Sequence, residues 1–333
     1  MKDIKKSIRI IFMCLLTLGI TLPLAAKKEK MKAYLFVYFP GNDPAQEQVH
    51  YAVSNDGWNY TPINGGYNII GSDTIALAKG VRDPHILRGN DGWFYMVVTD
   101  MRCTLGWSSN RGMVLMRSRD LINWEHHTVN FPQKYKGTQF ANVTRVWAPQ
   151  TIYDKKAKKY IVYFSLLTDD GTIPYDRVYW AYANSDFSDL EGEPKVLFDY
   201  HQASIDTDIV QDKNGTFHLF FKTEGSNVKG IKQFTFKDLF KPNTWKLMDG
   251  YCQQTKEAVE GAGVFPLING GWALMYDCYR DHHYQFCKSD DLINFTFVQN
   301  TETSGKFTPR HGTVIQISQK EYDKLLKAFP IEK

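Results

Sequence analysis

A short turn motif recurs five times along the chain and limits what the chain can build. It reads Ser54-Asn55-Asp56 before Trp58, Ser118-Arg119-Asp120-Leu121 before Trp124, Ser185-Asp186-Phe187, Lys237-Asp238-Leu239 before Trp245, and Ser289-Asp290-Asp291-Leu292 before Phe295. Its aspartates stand about 64, 66, 52 and 53 residues apart, the spacing that four-stranded propeller blades with loops require. Five copies imply five blades. In each copy the motif is expected between the third and fourth strands, with the aspartate forming the turn and the leucine or aromatic residue packing on the neighbouring sheet.

The sequence between the copies is all-β in character. From Lys32 onward, short runs rich in Val, Ile, Tyr, Phe and Trp alternate with Gly, Asn and Asp clusters, and aromatic residues make up 14% of the chain. Strands are expected at 34–39, 48–54, 58–63, 93–99, 113–118, 124–129, 159–165, 178–184, 217–222, 230–236, 272–277, 284–289, 295–299 and 313–318, with a short helix at 319–329. The segment before Asp56 holds only enough residues for the outer strands of a blade, while 313–318 is a strand without partners. Pairing this C-terminal strand with the N-terminal blade closes the ring and leaves no long edge exposed. Residues 27–333 are then expected to form a single five-bladed β-propeller.

The N-terminus reads as an export leader. Lys2, Lys5, Lys6 and Arg9 precede the apolar run 10–24 and the small residues Ala25-Ala26, so residues 1–26 are expected to be a signal peptide, with secreted or periplasmic localisation and no membrane attachment after cleavage. The net charge of +4 falls near zero without the leader, and no Lys/Arg cluster interleaved with aromatics argues for nucleic acid. Cys103, Cys252, Cys278 and Cys287 are too few for a disulfide scaffold, although Cys278 and Cys287 could face each other across a hairpin. The pairs His126-His127 and His282-His283 lack metal-ligand spacing and read as solvated turn residues.

In a propeller the innermost strand of each blade starts beside the central channel, so polar residues there converge on one pocket. Asp83, before Pro84, enters the second blade; Pro84 fixes its own φ and pushes Asp83 toward an extended conformation at a strand mouth. RVWAPQTIYD brings Arg145 and Trp147 to the third blade, SIDTDIV brings Asp206 and Asp208 to the fourth, EAVEGAGVF brings Glu257 and Glu260 to the fifth, and FTPRHGTVIQI brings Arg310 and His311 to the closing strand. Asp206 and Asp208, two apart, point to one side of an extended strand, so either could be the pocket acid, and Glu257 competes with Glu260.

With RDPHIL, VWAPQTIY, SIDTDIV, VEGAGVF and PRHGTVI in this order, the chain resembles glycoside hydrolase family 43, inverting enzymes on a five-bladed propeller. The resemblance implies Asp83 as general base, Asp206 as the acid that orients and tunes the proton donor, and Glu260 as general acid. Position at the strand mouths makes Trp147, Arg145, Arg310 and His311 candidate substrate contacts, and the resemblance matches His311 to a histidine near the axis that in many members reaches a water or a bound ion, implying a calcium ion there. No cofactor is otherwise required. Two departures stand out: the base lies on the second repeat, as the closure argument requires, and the family's usual IDP and EGP appear as Ile205-Asp206-Thr207 and Glu260-Gly261-Ala262.

The function implied is release of a terminal pentose, L-arabinofuranose, from plant polysaccharide side chains by a monomeric enzyme. β-Xylosidase and exo-β-galactosidase activities of the same family are the near alternatives. A non-catalytic glycan-binding propeller is the alternative of another class.

Overall fold

Strands covered on both faces should read as continuous apolar runs, because neither side meets water. The runs of this chain are of that kind: residues 33–39, 94–98 and 161–164 are buried without interruption. The computed structural model describes residues 29–225, 228–301, 305 and 307–331, and these carry five four-stranded antiparallel sheets.

Blade one contains β1 (Met31–Phe39), β2 (His50–Ser54) and β3 (Thr61–Pro62). Blade two is β4 (Val81–Arg88), β5 (Phe94–Asp100), β6 (Gly112–Ser118) and β7 (Glu125–Asn130); blade three is β8 (Val143–Asp154), β9 (Lys159–Thr168), β10 (Arg177–Ala183) and β11 (Leu190–Phe198). Blade four is β12 (Ser204–Gln211), β13 (Phe217–Gly225), β14 (Val228–Phe236) and β15 (Lys246–Leu247); blade five is β16 (Glu260–Pro266), β17 (Trp272–Cys278), β18 (His283–Ser289) and β19 (Thr296–Thr301). The last strand, β20 (Arg310–Ser318), returns to pair with β1, placing Thr313 opposite Val37 and Ile315 opposite Leu35. It becomes the inner strand of blade one, as closure demands. The inner strands β20, β4, β8, β12 and β16 touch in succession and complete the ring.

Alternate side chains of each strand serve two different cores. Along β1, Leu35 and Val37 join Ile86, Met96 and Val98 of blade two, while Tyr34, Phe36 and Tyr38 join Met275, Tyr284 and Phe286 of blade five. Along β9, Val162 and Phe164 pack toward blade two, and Ile161 and Tyr163 toward blade four. Each such side chain contributes roughly 1.5–3 kcal/mol on burial, so the contacts between blades hold the ring as firmly as the hydrogen bonds within them.

The repeated motif lies between the third and fourth strands of every blade. Asp56, Asp120 and Asp291 each accept two amides of their turn, from Trp58 and Asn59, Ile122 and Asn123, and Ile293 and Asn294, and the asparagine side chain closes on the second oxygen. Leu121, Phe187 and Leu292 then adopt positive φ and are buried. This turn explains one correction: the strand expected at 58–63 is reduced to Thr61–Pro62, because Asp56 holds the amides of Trp58 and Asn59.

The inner strands β4, β8, β12 and β16 and the charged outer strand β11 escaped the strand pattern, the former because Pro84, Pro149 and the acids interrupt their apolar runs. The C-terminal helix spans Gln319–Ala328, capped by Ser318 and Glu321. All four described cysteines are free; Cys278 stands opposite His283 and Cys287 opposite Leu274, so the two do not face each other. The leader lies outside the described residues, and no described helix is long and apolar enough to cross a membrane.

Closure depends on close approach at Gly312, where a Cβ would stand 2.1 Å from the Val37 carbonyl oxygen. Gly312→Ala is expected to destabilise the fold by about 2 kcal/mol or more, read as a lower urea midpoint. An unchanged midpoint would show that the β1–β20 seam has room to spare.

Candidate active site

Each inner strand carries one extra residue at the same place. The register slips between Arg82 and His85, Trp147 and Gln150, Ile205 and Asp208, Glu260 and Gly263, and Arg310 and Thr313, so that three steps on the inner strand match two on its partner. These are β-bulges, which re-aim a side chain at the end of a ladder. The bulge brings Asp83, Ala148, Asp206 and Gly261 to φ values of 51°, 45°, 53° and 61°. Left-handed backbone is costly for residues other than glycine, and here Asp83 and Asp206 both adopt it. Thr207 and Ala262, standing where the related motifs have proline, leave the bulge intact.

These turns gather Asp83, Asp206, Glu260, His311 and Trp147 around one small pit that is open to solvent, with Arg82, Met101, Trp107 and Ile205 completing its lining. Two expected contacts stand elsewhere. Arg145 pairs with Asp176 at 2.7 Å and lies over the Trp147 ring, so it backs the wall instead of lining it. Arg310 is likewise behind the lining, donating to Glu260 Oε1 at 2.7 Å and to Asp277.

The carboxylates are held by neighbouring blades. Thr99 donates to Asp83 Oδ2 at 2.8 Å and accepts the Ala148 amide at 2.9 Å, so the third blade's bulge orients the second blade's acid. The Gly261 amide donates to Asp206 Oδ2 at 2.9 Å. Gly261 must also be small, since a Cβ there would lie 2.7 Å from the His311 ring. His311 Nδ1 stands 3.3 Å from Asp83 Oδ1 and 3.6 Å from Asp206 Oδ1, bridging the two acids. Lys222, buried, reaches Glu260 Oε2 at 3.3 Å and is itself held by Glu224.

Asp208 belongs to a second layer. Residues two beyond each bulge turn toward the next blade: Thr313 accepts the Ile86 amide, His85 the Thr151 amide and Asp208 the Val264 amide, while Gln150 engages Tyr163, which accepts the Ile209 amide. Asp208 therefore closes a backbone gap beneath the pit. Glu257 is exposed and lies apart from the lining, beside His283.

Electrostatics separates the acids. Burial works to raise the Asp83 carboxyl, but the hydrogen bond and charge of His311, with Arg82 and Thr99, hold it below the usual carboxylate range. Asp206 is pushed up to about 6 by burial, with Glu260 and Asp83 adding to the rise and His311 opposing it. Burial disfavours the His311 charge, yet Asp206, Asp83 and Glu260 raise it to about 9. A carboxylate beside a protonated imidazole is the resulting arrangement at neutral pH.

A family model described as "Probable glycosyl hydrolase domain", of the glycosyl hydrolase 43-related type, matches residues 29–323. The chain belongs to this glycosyl hydrolase 43-related family. An α-L-arabinofuranosidase of Bifidobacterium longum subsp. longum is 27% identical over 249 residues, a stretch covering 66% of this chain and 21% of that protein. The chain thus spans only about a fifth of its curated relative. Among solved structures, an endo-1,4-β-xylanase from Bacteroides thetaiotaomicron aligns with a TM-score of 0.56 at 12% identity, covering 85% of this chain and 97% of that one. A thermostable family-43 glycoside hydrolase aligns at 0.51 and 19% identity, covering 68% and 74%. At these identities the likeness is one of fold.

The calcium ion that the resemblance implies would lie beside His311, whose Nδ1 faces Asp83 Oδ1 at 3.3 Å and Asp206 Oδ1 at 3.6 Å, so an ion would have to be met by the other ring nitrogen, with water supplying the oxygen ligands that calcium takes. Sequence reasoning also missed Trp107, Lys222 and Asp277. Only Trp107 left a trace, as a tryptophan in a Gly- and Ser-rich loop; Lys222 and Asp277 read as ordinary residues at strand ends.

The His311 value lies above its ordinary 6.5, so its charge stabilises the fold fully below pH 6.5 and this contribution is lost as pH rises through about 9. A ring-nitrogen NMR titration should place the His311 midpoint at about 9, and lower in Asp83→Asn. A wild-type midpoint at or below 6.5 would show that the carboxylates do not retain the proton.

Proposed function

We propose that this glycoside hydrolase works with inversion and releases terminal L-arabinofuranose from plant polysaccharide side chains. The observation that carries the reading is the convergence of Asp83, Asp206 and Glu260 from three different blades on one pit with tryptophan walls. Inverting hydrolysis needs a base that activates water and an acid that protonates the leaving oxygen across the sugar, about 6.5–9.5 Å away. Separate blades can supply that gap; neighbours in one strand cannot.

Asp83 is the base. Its depressed pKa keeps it ionised, and Thr99 and His311 fix its plane so that a lone pair can take the proton of the attacking water. Glu260 is the acid: Arg310 fixes Oε1 closely, and Oε2, more loosely held by Lys222, is the oxygen that delivers the proton. Asp206, buried between them, shares the charge of His311 and orients the donor's strand through the Gly261 amide. Trp107 and Trp147 stand edge to face with centroids 6.2 Å apart and offer apolar faces to sugar C–H groups. The arabinose assignment is supported by the arabinofuranosidase relative, and the leader read in the sequence supports export.

The test is release of 4-nitrophenol from α-L-arabinofuranoside, β-D-xyloside and β-D-galactoside probes, with the product anomer followed by proton NMR. Arabinoside cleavage with inversion is expected, and Asp83→Asn and Glu260→Gln should each lower kcat by about 10²- to 10⁴-fold. Faster cleavage of the xyloside or galactoside would replace the sugar. No cleavage of any probe, arabinan, xylan or galactan would leave a glycan-binding propeller. Trp107→Ala should raise KM about 3- to 10-fold while sparing kcat; an unchanged KM would remove Trp107 from the binding wall.

A further inference from the structure

We infer that Glu257, Cys278 and His283 form a binding site for a divalent transition metal of the zinc type, outside the catalytic pit. The Cys278 thiol, a ring nitrogen of His283 and a Glu257 carboxylate oxygen all lie within 4.8 Å of one another. They come from three places in blade five. Cys278 ends β17, His283 opens β18 directly opposite it, and Glu257 lies three residues before β16. The sequence hid this set because a site assembled across a sheet has no ligand spacing along the chain.

The details are those of a ligand set. His283 Nδ1 lies 3.3 Å from the Asp281 carbonyl oxygen, as a ring N–H donor would, which turns Nε2 toward Glu257 and Cys278. Metal-binding histidines are commonly oriented by such a backbone bond. Nε2 is sealed from solvent and makes no well-formed hydrogen bond, although Glu257 Oε2 is 3.3 Å away. That separation already suits two ligands of a tetrahedral zinc ion, whose bonds run about 2.0–2.3 Å. Cys278 is fully buried and Glu257 is exposed, so one side of the site is fixed while the other is open for entry and able to close by side-chain rotation.

One thiolate, one imidazole and one carboxylate select zinc or its neighbours over calcium and magnesium, which take oxygen alone. With three protein ligands, water takes the fourth position. An ion here would fasten the segment leading to Glu260 onto the β17–β18 hairpin, where Asp277, next to Cys278, holds Arg310. This inference is independent of the substrate.

Cobalt(II) is the probe, added to purified protein without a polyhistidine tag. The expected result is one ion bound per chain, with an intense thiolate-to-cobalt charge-transfer band in the near ultraviolet that zinc displaces. Cys278→Ser should abolish the band and Cys252→Ser should retain it. Glu257→Ala, at an exposed position that spares the fold, should weaken cobalt binding by about tenfold or more. Absence of binding, binding without the band, or a band that persists in Cys278→Ser would each overturn the site.

Discussion

The inner edge of each sheet is the constraint on which the rest of this structure depends. A strand paired on one side only presents backbone amides to the channel, and a buried amide without a partner costs free energy. Each blade answers for the next: Thr313 takes the Ile86 amide, His85 the Thr151 amide, Tyr163 the Ile209 amide and Asp208 the Val264 amide. The ring is therefore stitched at its centre by side chains as well as packed between its blades by apolar faces. Closure by β20 is part of this stitching, since Thr313 belongs to the last strand and serves the second blade.

The bulge above that layer lets a structural ring also hold chemistry. Because every inner strand slips by one residue at the same height, Asp83, Ala148, Asp206 and Gly261 share a left-handed backbone turn, and Asp83, Asp206 and Glu260 converge on one pit. Packing from the next blade holds these conformations in place. The amides of Ala148 and Gly261 then orient the acids of their neighbours, directly for Asp206 and through Thr99 for Asp83. His311 holds its proton between the two, which keeps closely buried carboxylates compatible in one low-dielectric space.

Much of this was legible in the residues. The spacing of Asp56, Asp120, Asp186, Asp238 and Asp291 gave five blades because the turn they form is local: each carboxylate captures amides two or three residues away. The isolated final strand pointed to closure for the same kind of reason, an unpaired edge needing a partner. The acids were visible at strand mouths, and the resemblance favoured Asp206 over Asp208, although two-residue alternation alone sets both on one side of the strand and cannot register a bulge. Arg145 and Arg310 were recognisable as cations near the channel, whereas their ion pairs with Asp176 and Asp277, which turn them away from the lining, join residues 31 and 33 positions apart.

The sequence by itself determined an all-β ring of five repeats and the set of acids at its inner strands, because turn chemistry, apolar runs and edge satisfaction act over short stretches of chain. Tertiary structure alone decided that Asp208 turns to the Val264 amide beneath the pit, which cations stand behind Glu260 and that Glu257, Cys278 and His283 meet. Those outcomes depend on the register between strands and on the approach of neighbouring blades, and neither is written in the spacing of residues along one strand.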